Sequence, residues 1–245
     1  MLKNLFGDNS SSARAPDGMR LYAIGDIHGC ADHLDRLLDK IAAEERASGP
    51  ARLIFLGDYV DRGPDSRGVV DRLVEIRRSR PQTIFLKGNH EAVFLDFLAD
   101  PYEMRDWLDW GGADTLRSYG VDNVAARTPD DLADEMTSRL PAEHIAFLKG
   151  LELTFTAGDY LFVHAGVRPG VPLESQAERD LLWIRGEFHH APPEARPEKV
   201  VVHGHHPLRK PLDAGWRIDV DTGACFGGRL TAVVLEGDGR RFLSS

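Results

Sequence analysis

Three stretches in the first 91 residues decide the fold: LYAIGDIHG at residues 21–29, LIFLGDYVDRG at residues 53–63 and TIFLKGNHE at residues 83–91. In each stretch a short apolar run, typical of a buried strand, ends abruptly at polar residues. Apolar residues recur between the stretches at helical spacing, at Leu34, Leu37, Leu38 and Ile41 and again at Val69, Val70, Leu73 and Val74. The alternation of strand, helix and strand predicts a parallel sheet. Polar residues just beyond its strands should therefore meet at the carboxyl edge, where open α/β sheets bind ligands.

The rest of the chain divides into a helical part and a second run of strands. Residues from about 92 to 150 contain amphipathic segments separated by Gly, Pro and Asp, which predict a small helical insertion. Strand patterns then return: YLFV at residues 160–163 leads into His164, and KVVV at residues 199–202 leads into the sequence HGH. In the second half, as in the first, predicted strands are thus followed by residues of the types that bind metals.

The composition is that of an ordinary globular protein. Of 245 residues, 42% are hydrophobic and 28% charged, and the apolar runs are too short to cross a membrane. Residues 1–19 are mostly polar and small, which predicts a flexible tail without a secretory leader and leaves residues 20–245 as a single domain. We therefore expect a cytoplasmic protein with no membrane association.

Charge and cysteine content exclude several other classes of function. A formal net charge of -9 disfavours nucleic-acid binding, since most of the surface would repel phosphates. Two cysteines, Cys30 and Cys225, make neither a disulfide framework nor a CxxC zinc site. The chain shows no heptad pattern, so we expect a monomer. A local metal cluster can still bind a phosphate at one site of an acidic protein.

Residues of the types that bind metals follow the predicted strands. They are Asp26, His28, Asp58, Asn89, His164 and His205. Each alone has an ordinary explanation, because a carboxylate or amide at a strand end often caps the next helix or forms a local ion pair. If each residue had only such a local role, six independent coincidences would be needed to place all of them just after predicted strands. We therefore predict a metal centre. Carboxylate oxygens with imidazole nitrogens suit manganese, iron or zinc, and the absence of cysteine ligands disfavours a closed structural site.

Several motifs occur in a fixed order: GDIHG, GDYVDRG, GNHE, HAG, the Gly204-His205 step and, near the end, DTGACFGGRLTAV. In these motifs the sequence from about residue 20 to 235 resembles the phosphoprotein-phosphatase branch of the calcineurin-like metallophosphoesterases, and in particular its bacterial and phage serine/threonine protein phosphatases. The resemblance implies an α/β fold in which two mixed sheets form a β-sandwich flanked by helices, an α/β/β/α arrangement.

The resemblance also implies two divalent metal ions, for which we expect manganese, with iron or zinc as alternatives. The implied ligands are Asp58 as the bridge, Asp26 and His28 on one ion, and Asn89, His164 and His205 on the other. A hydroxide bridging the ions would attack phosphorus in line, without a phosphoenzyme.

Residues beside the metals have implied roles in catalysis and substrate binding. His90 matches the general acid that protonates the leaving alkoxide, and Asp61 would orient its imidazole. Arg62, Asn89 and Arg185 would bind the phosphate, and the arginines offer planar, forked donors.

We predict hydrolysis of phosphate monoesters, chiefly phosphoserine or phosphothreonine in a phosphoprotein or phosphopeptide substrate. A symmetrical dinucleoside tetraphosphate hydrolase is the alternative in the same fold, because that family resembles this chain in GDIHG and in the DTGACFGG ending. GNHE and GDYVDRG fit the protein phosphatases better. A non-catalytic phosphoprotein-binding scaffold is the alternative of another class, although every expected ligand position is filled. Trp107 and Trp110 of the insertion are expected to pack between helices rather than line a substrate cleft.

Overall fold

The computed structural model describes residues 13–245. The strands in this range are β1 (Arg20–Ile24), β2 (Arg52–Phe55), β3 (Ile84–Phe85), β4 (Thr154–Ala157), β5 (Tyr160–Val163), β6 (Val200–His203), β7 (Leu212–Asp213), β8 (Arg217–Asp219), β9 (Thr231–Glu236) and β10 (Gly239–Ser244). The α-helices are α1 (Ala31–Ser48), α2 (Ser66–Ser79), α3 (Asn89–Ala99), α4 (Gly112–Ser118), α5 (Pro129–Arg139), α6 (Ala142–Lys149), α7 (Glu178–Trp183) and α8 (Gly186–His189). Short 3₁₀ helices lie at Arg105–Leu108, Val124–Ala126, Leu173–Ser175, Pro193–Ala195 and Ala224–Phe226. Within residues 13–245, no helix combines the length and apolar character that a membrane span needs.

Each of the two sheets has five strands and mixes parallel with antiparallel pairs. The first has the order β10-β9-β1-β2-β3, in which β1, β2 and β3 are parallel and β9 runs antiparallel to both of its neighbours. The second has the order β4-β5-β6-β8-β7, in which β5, β6 and β8 are parallel and the two edge strands are antiparallel. The parallel strands of each sheet therefore bring their carboxyl ends to one edge.

Alternate residues along the strands divide the core into layers, because successive side chains of a strand point to opposite faces. Leu21 and Ile54 of the first sheet pack in one cluster with Phe162 and Val202 of the second sheet. The intervening residues of the first sheet, such as Tyr22, pack instead with α1 and α2. Those of the second sheet pack with α7 and α8. This arrangement confirms the predicted α/β/β/α sandwich of two mixed sheets flanked by helices.

The helical insertion predicted at about residues 92–150 corresponds to α3 through α6 and the 3₁₀ helices between them. Its Trp107, Leu116 and Phe147 are buried in the same apolar cluster as α1 and α2. The insertion thus extends the helical layer on the outer face of the first sheet. Part of it also reaches the carboxyl edge of that sheet, where it contacts the site described below.

The predicted flexible tail, residues 1–19, is described only in part, and residues 1–12 lie outside the described residues. In the remaining part, the Arg14 backbone N–H donates to the Asp159 carboxylate at 2.9 Å, and the Ala15 N–H donates to the Gly237 carbonyl at 2.8 Å. Ala15 is buried in the cluster between the two sheets. This segment is therefore held against the domain, because two hairpin turns satisfy its backbone hydrogen bonds.

Candidate metal centre

The six predicted metal ligands converge at one rim of the sandwich. Asp26 and His28 follow β1, Asp58 follows β2, Asn89 follows β3, His164 follows β5 and His205 follows β6. All six residues are at most 6% exposed. Because the parallel strands of both sheets end at this rim, loops that are distant in sequence form one buried polar cluster.

Asp58 lies at the centre of the cluster. Its Oδ2 is 3.4 Å from Nε2 of His28, and its Oδ1 is 3.4 Å from Nε2 of His164. The Asp58 carboxylate groups with the rings of His28 and His90 on one side and with those of His164 and His205 on the other, and the donor atoms of each group lie within 4.8 Å of one another. One carboxylate that faces two groups of nitrogen donors suits the bridging position of a two-metal site. His and Asp groups are therefore positioned for binuclear metal binding.

Asn89 and Asp26 complete the predicted ligand set in different ways. Asn89 joins the second group, because its Oδ1 is 2.9 Å from Nε2 of His164. Asp26 belongs to neither group of donors, and its carboxylate accepts the His205 backbone N–H at 3.0 and 3.2 Å. The assignment of Asp26 and His28 to the same ion stays a prediction.

Backbone carbonyls orient the histidine rings. Nδ1 of His28 donates to the Val60 carbonyl at 2.8 Å, and Nδ1 of His164 donates to the Leu56 carbonyl at 3.0 Å. The Nε2 lone pairs consequently face the cluster, as in metal-binding histidines whose other nitrogen is held by a carbonyl. Burial lowers the pKa of His28 to about 3 and also lowers that of His164. Burial, with the nearby His164, lowers the pKa of His205 to about 2. At neutral pH these imidazoles are uncharged, as metal ligation requires.

The buried carboxylates of the cluster favour the binding of positive charge. Burial, followed by the carboxylates of Asp221 and Asp58, raises the pKa of Asp26 well above its ordinary value. Burial acts in the same direction on Asp58, but the imidazoles around it, His164 foremost, lower its pKa below the ordinary range. Carboxylates removed from water are stabilised by bound cations. The buried carboxylate, amide and neutral imidazole donors therefore fit a pair of divalent ions.

The backbone of the ligand loops is strained. A positive φ is uncommon for a residue other than glycine and often marks a functional site. Six such residues occur within residues 13–245, namely His28, Asp58, Asp61, Arg62, Asn123 and His205, with φ between 45° and 74°. All except Asn123 belong to the predicted site.

Two motif glycines permit close approaches of the backbone to ligand carboxylates. A Cβ at Gly88 would lie 2.1 Å from Oδ1 of Asp58, and a Cβ at Gly204 would lie 2.0 Å from Oδ1 of Asp26. Any larger residue would displace the carboxylate. Steric contact with the ligand carboxylates therefore explains why glycine occupies these positions of GNHE and HGH. The sequence pattern alone does not show this.

Glu91 is a structural residue of the site that the sequence reasoning missed. One carboxylate oxygen accepts the backbone N–H groups of Asp58 and Gly88, both at 2.9 Å. The other accepts those of Tyr59 at 2.7 Å and Val60 at 3.2 Å. The buried Glu91 thus ties the loop after β2 to the loop after β3. Its place three residues after the N-cap of α3, the spacing of a capping box, is the signal that could have found it.

His90 is held in one orientation by Asp61. Nδ1 of His90 is 2.6 Å from Oδ2 of Asp61, which also accepts the Trp107 indole N–H at 2.8 Å, while Oδ1 accepts the Thr115 hydroxyl at 2.7 Å. Burial opposes the charged imidazole, but the carboxylates of Asp58 and Asp61 raise the pKa of His90 above its ordinary value. A general acid must carry a proton, and the raised pKa of His90 favours that protonated form.

Trp107 and Trp110 of the insertion differ from each other. Trp107 packs between helices as expected, with its ring centroid 5.1 Å from that of Phe94 and 4.6 Å from that of Phe97. Its indole N–H also donates a hydrogen bond to the Asp61 carboxylate. The expectation that Trp110 packs in the same way is wrong, because its side chain is 45% exposed. Neither the Trp107 nor the Thr115 hydrogen bond to Asp61 has a sequence signal.

The two predicted arginines contact opposite groups of the cluster. The Arg62 guanidinium is 2.6 Å from Nε2 of His28 and 2.8 Å from Nε2 of His90. Nε of Arg185 donates to Nε2 of His205 at 3.0 Å. The structure thus brings all ten predicted site residues into one cluster, and their separate roles stay predictions.

A further group of side chains of the types that bind metals includes His203, two residues before His205. The donor atoms of His189, His203 and Asp219 are within 4.8 Å of one another. Arg217 already faces this group, with one guanidinium nitrogen 3.3 Å from Nε2 of His203 and 3.9 Å from Oδ2 of Asp219. None of these three residues is in the predicted ligand set, and we assign no ion to this group.

This fold and this centre together define a metallophosphoesterase. The chain belongs to the calcineurin-like phosphoesterase family, whose family model matches residues 19–235. Its chemistry is therefore that of a phosphoesterase hydrolase.

The chain is similar to named relatives over most of their length. The bis(5'-nucleosyl)-tetraphosphatase PrpE [asymmetrical] of Anoxybacillus flavithermus is 26% identical over 234 residues, which cover 86% of this chain and 88% of the relative. The protein of the same name from Halalkalibacterium halodurans is 27% identical over 237 residues, 88% of this chain and 89% of the relative. These names support the tetraphosphatase alternative in part, although the alternative named from the sequence was the symmetrical kind.

Solved structures with this fold include several phosphatases. A putative diadenosine tetraphosphatase matches with a TM-score of 0.63 and 25% identity, covering 96% of this chain and 95% of that one. A serine/threonine phosphatase from Saccharomyces cerevisiae matches with a TM-score of 0.60 and 15% identity, covering 97% and 80%. A cold-active protein-tyrosine phosphatase of a Shewanella species matches with a TM-score of 0.57 and 19% identity, covering 95% and 83%. The last two show the fold alone, so the phosphoprotein-phosphatase branch stays a prediction.

Proposed function

We propose that the protein hydrolyses dinucleoside tetraphosphates with the help of two divalent metal ions. The observation that carries this proposal is the placement of the two arginines, since Arg62 contacts the His28 and His90 side of the cluster and Arg185 contacts the His205 side. A polyphosphate chain offers several anionic groups in a row and can engage both guanidinium groups. The names of the similar tetraphosphatases support the same substrate class.

The chain's own residues supply binding and proton transfer in this reaction. Bound divalent ions, manganese in our proposal with iron or zinc as alternatives, would be held by the six-residue ligand set and would supply an activated water and charge neutralisation. Arg62, Arg185 and the Asn89 amide orient the phosphate oxygens. His90, fixed by Asp61, donates a proton to the leaving oxygen. Asymmetrical cleavage adds the elements of water across one P–O–P bond and yields a nucleoside triphosphate and a nucleoside monophosphate.

Hydrolysis of phosphoserine or phosphothreonine is a second candidate, favoured by the His90–Asp61 pair. The leaving group of a protein phosphate is an alkoxide, which needs a proton far more than a departing nucleotide does. The structure fixes this pair with two further hydrogen bonds, from Trp107 and Thr115 to Asp61. A phosphoprotein or phosphopeptide would then be the partner of the same site.

One competition experiment separates the two candidates. Metal-free protein reloaded with manganese is given diadenosine tetraphosphate and a phosphothreonine peptide at matched concentrations. We expect higher kcat/KM for the dinucleotide, with ATP and AMP as products. Higher kcat/KM for the peptide would replace the proposal by the protein-phosphatase candidate, and turnover of neither would contradict both.

A further inference from the structure

Exposed aromatic side chains collect around the metal centre. Of the large hydrophobic side chains among residues 13–245, four are exposed: Trp110, Trp183, Phe226 and Tyr102, at 45%, 37%, 64% and 54%. Large aromatic side chains are usually well buried. The first three contact site residues or one another, whereas Tyr102 lies in the turn after α3. Such a concentration of exposed aromatic surface is typical of a ligand-binding site.

Trp110 and Trp183 form a pair next to the second group of metal ligands. The Trp183 ring centroid is 6.2 Å from that of His205, and the Trp110 ring centroid is 6.2 Å from that of Trp183, with ring planes 70° apart. Phe226 differs from this tryptophan pair, because the Arg62 guanidinium already lies over its ring, 5.5 Å from the centroid. The tryptophan pair is therefore the aromatic surface at the centre whose rings carry no arginine.

Each member of the tryptophan pair is tied to one of the two arginines. Trp110 precedes Gly111, whose carbonyl accepts the Arg62 backbone N–H at 3.2 Å. A Cβ at Gly111 would lie 2.5 Å from that nitrogen, so the chain after Trp110 is pressed against Arg62. Trp183 is the last residue of α7 and stands two residues before Arg185. Trp183 and Arg185 both face the His205 ring, and the backbone after Trp110 lies against that of Arg62.

We propose that the tryptophan pair is a stacking surface for a nucleobase of the substrate, a subsite that rests on the proposed function. In a nucleotide a phosphate and a planar base are separated by a short sugar, which matches an arginine beside an indole. Stacking on an aromatic ring tolerates any base, because every base has a π-face. The pair therefore selects nucleotides over phosphates that lack a base, without choosing among the bases.

The test compares two substrates that share a P–O–P anhydride bond. Diadenosine tetraphosphate carries bases and inorganic tripolyphosphate does not. We expect Trp183→Ala and Trp110→Ala each to lower the ratio of kcat/KM for the dinucleotide to that for tripolyphosphate by about 5- to 150-fold, the usual range for losing one stacked base. Trp183→Phe should recover part of the ratio. Tyr102→Ala removes another exposed aromatic side chain, outside the pair, and is the matched control that should leave the ratio unchanged.

A binding measurement keeps this inference separate from the proposed function. Titration of the manganese-loaded protein with AMP should quench tryptophan fluorescence, and the quenching should be lost in Trp183→Ala. AMP quenching without dinucleotide turnover would keep the base subsite and overturn the proposed reaction. Dinucleotide turnover with an unchanged ratio in both alanine variants would overturn the subsite. Equal losses on both substrates, with a lower melting temperature, would make the pair structural and likewise overturn it.

Discussion

At the scale of single residues, Glu91 shows how one buried carboxylate fixes the geometry of a ligand loop. It accepts backbone N–H groups from both loops that present Asp58 and Asn89. Its role is indirect, because none of the four hydrogen bonds involves a donor atom of the metal groups. The positions of the ligands therefore depend on a residue that binds no metal itself.

Replacement of Glu91 should damage both stability and metal binding. Glu91→Ala leaves four buried N–H groups without an acceptor, and each unsatisfied group costs about 1–3 kcal/mol before relaxation. We expect the free energy of unfolding to fall by about 3–5 kcal/mol in urea titrations, with weaker manganese binding by calorimetry. Glu75→Ala, which removes an exposed partner of Arg72, is the control and should change stability by less than about 1 kcal/mol. A Glu91→Ala protein of normal stability would contradict this role.

The role of His90 can be tested through the leaving group. His90→Asn should retain manganese, because the amide replaces the imidazole without adding charge. The loss in kcat should be about 10²- to 10⁴-fold for a phosphothreonine peptide and smaller for diadenosine tetraphosphate, whose leaving group needs less protonation. Stoichiometry by metal analysis and kcat on both substrates are the measurements. Equal losses on the two substrates would argue against proton donation.

Ligand-type residues were predictable from the sequence, whereas the residues that hold them were not. His164 follows an apolar run directly and Asp58 follows one after Gly57, so their convergence follows from strand direction. The hydrogen bonds from Trp107 and Thr115 to Asp61 join segments 46 and 54 positions apart. They depend on how the insertion folds back on the sheet, which no local pattern specifies.

At the scale of elements, helix α7 is anchored by an arginine fork. Nε and a terminal nitrogen of Arg168 each donate to the Asp180 carboxylate at 2.7 Å, and the Leu181 carbonyl accepts the Ala165 N–H at 2.9 Å. These contacts attach α7 to the loop after β5. Since α7 ends at Trp183 and is followed by Arg185, the fork positions one side of the site.

The fork should make stability depend on pH. Its hydrogen bonds hold the pKa of Asp180 below the ordinary value. A carboxyl group of this kind stabilises the fold above its unfolded-state pKa, near 4, and the contribution is lost as pH falls through the lower, folded-state value. We expect the metal-free wild type to lose more stability between pH 6 and pH 3 than Asp180→Asn does, by urea unfolding.

A control for this pH dependence is available on another helix. Asp96→Asn removes an exposed carboxylate of α3 and should reproduce the wild-type pH profile. If Asp180→Asn and Asp96→Asn gave the same profile as wild type, the fork would contribute nothing measurable to α7.

Strands β1, β2, β5 and β6 were the most predictable elements, because their apolar runs are buried on both faces. The short 3₁₀ helix at Ala224–Phe226 has no such pattern, and it places Phe226 under Arg62. The difference in exposure between Trp107 and Trp110 could not be predicted from the sequence either, since both residues occur in one EMRDWLDW segment. Their environments are set by the packing of α3 and α4 around them.

At the scale of the whole molecule, metal removal should lower stability. The centre gathers Asp26, Asp58 and Asp221, whose carboxylates repel one another, and bound cations would reduce this repulsion. Saturation of the metal-free protein with manganese at 100 times the dissociation constant stabilises it by about 2.7 kcal/mol per site. We therefore expect chelation to lower the melting temperature in calorimetry and manganese to restore it.

The variant Asp26→Asn tests the direction of this effect. Loss of one buried negative charge should raise the melting temperature of the metal-free protein and reduce the increase that manganese produces. A metal-free Asp26→Asn protein that melts below the metal-free wild type would show that repulsion among the carboxylates is not what limits the stability of the empty centre.

The order of the strands has a consequence for how the protein is made. Strand β1, which leads to Asp26, pairs with β9 near the other end of the chain, and the ligands extend from Asp26 to His205. A chain that has emerged only as far as β5 has β2 beside β1 but lacks both β9, the other neighbour of β1, and the last donor, His205. No translation intermediate that stops before His205 can hold the complete centre, so hydrolytic activity arises only after the ribosome has passed this residue.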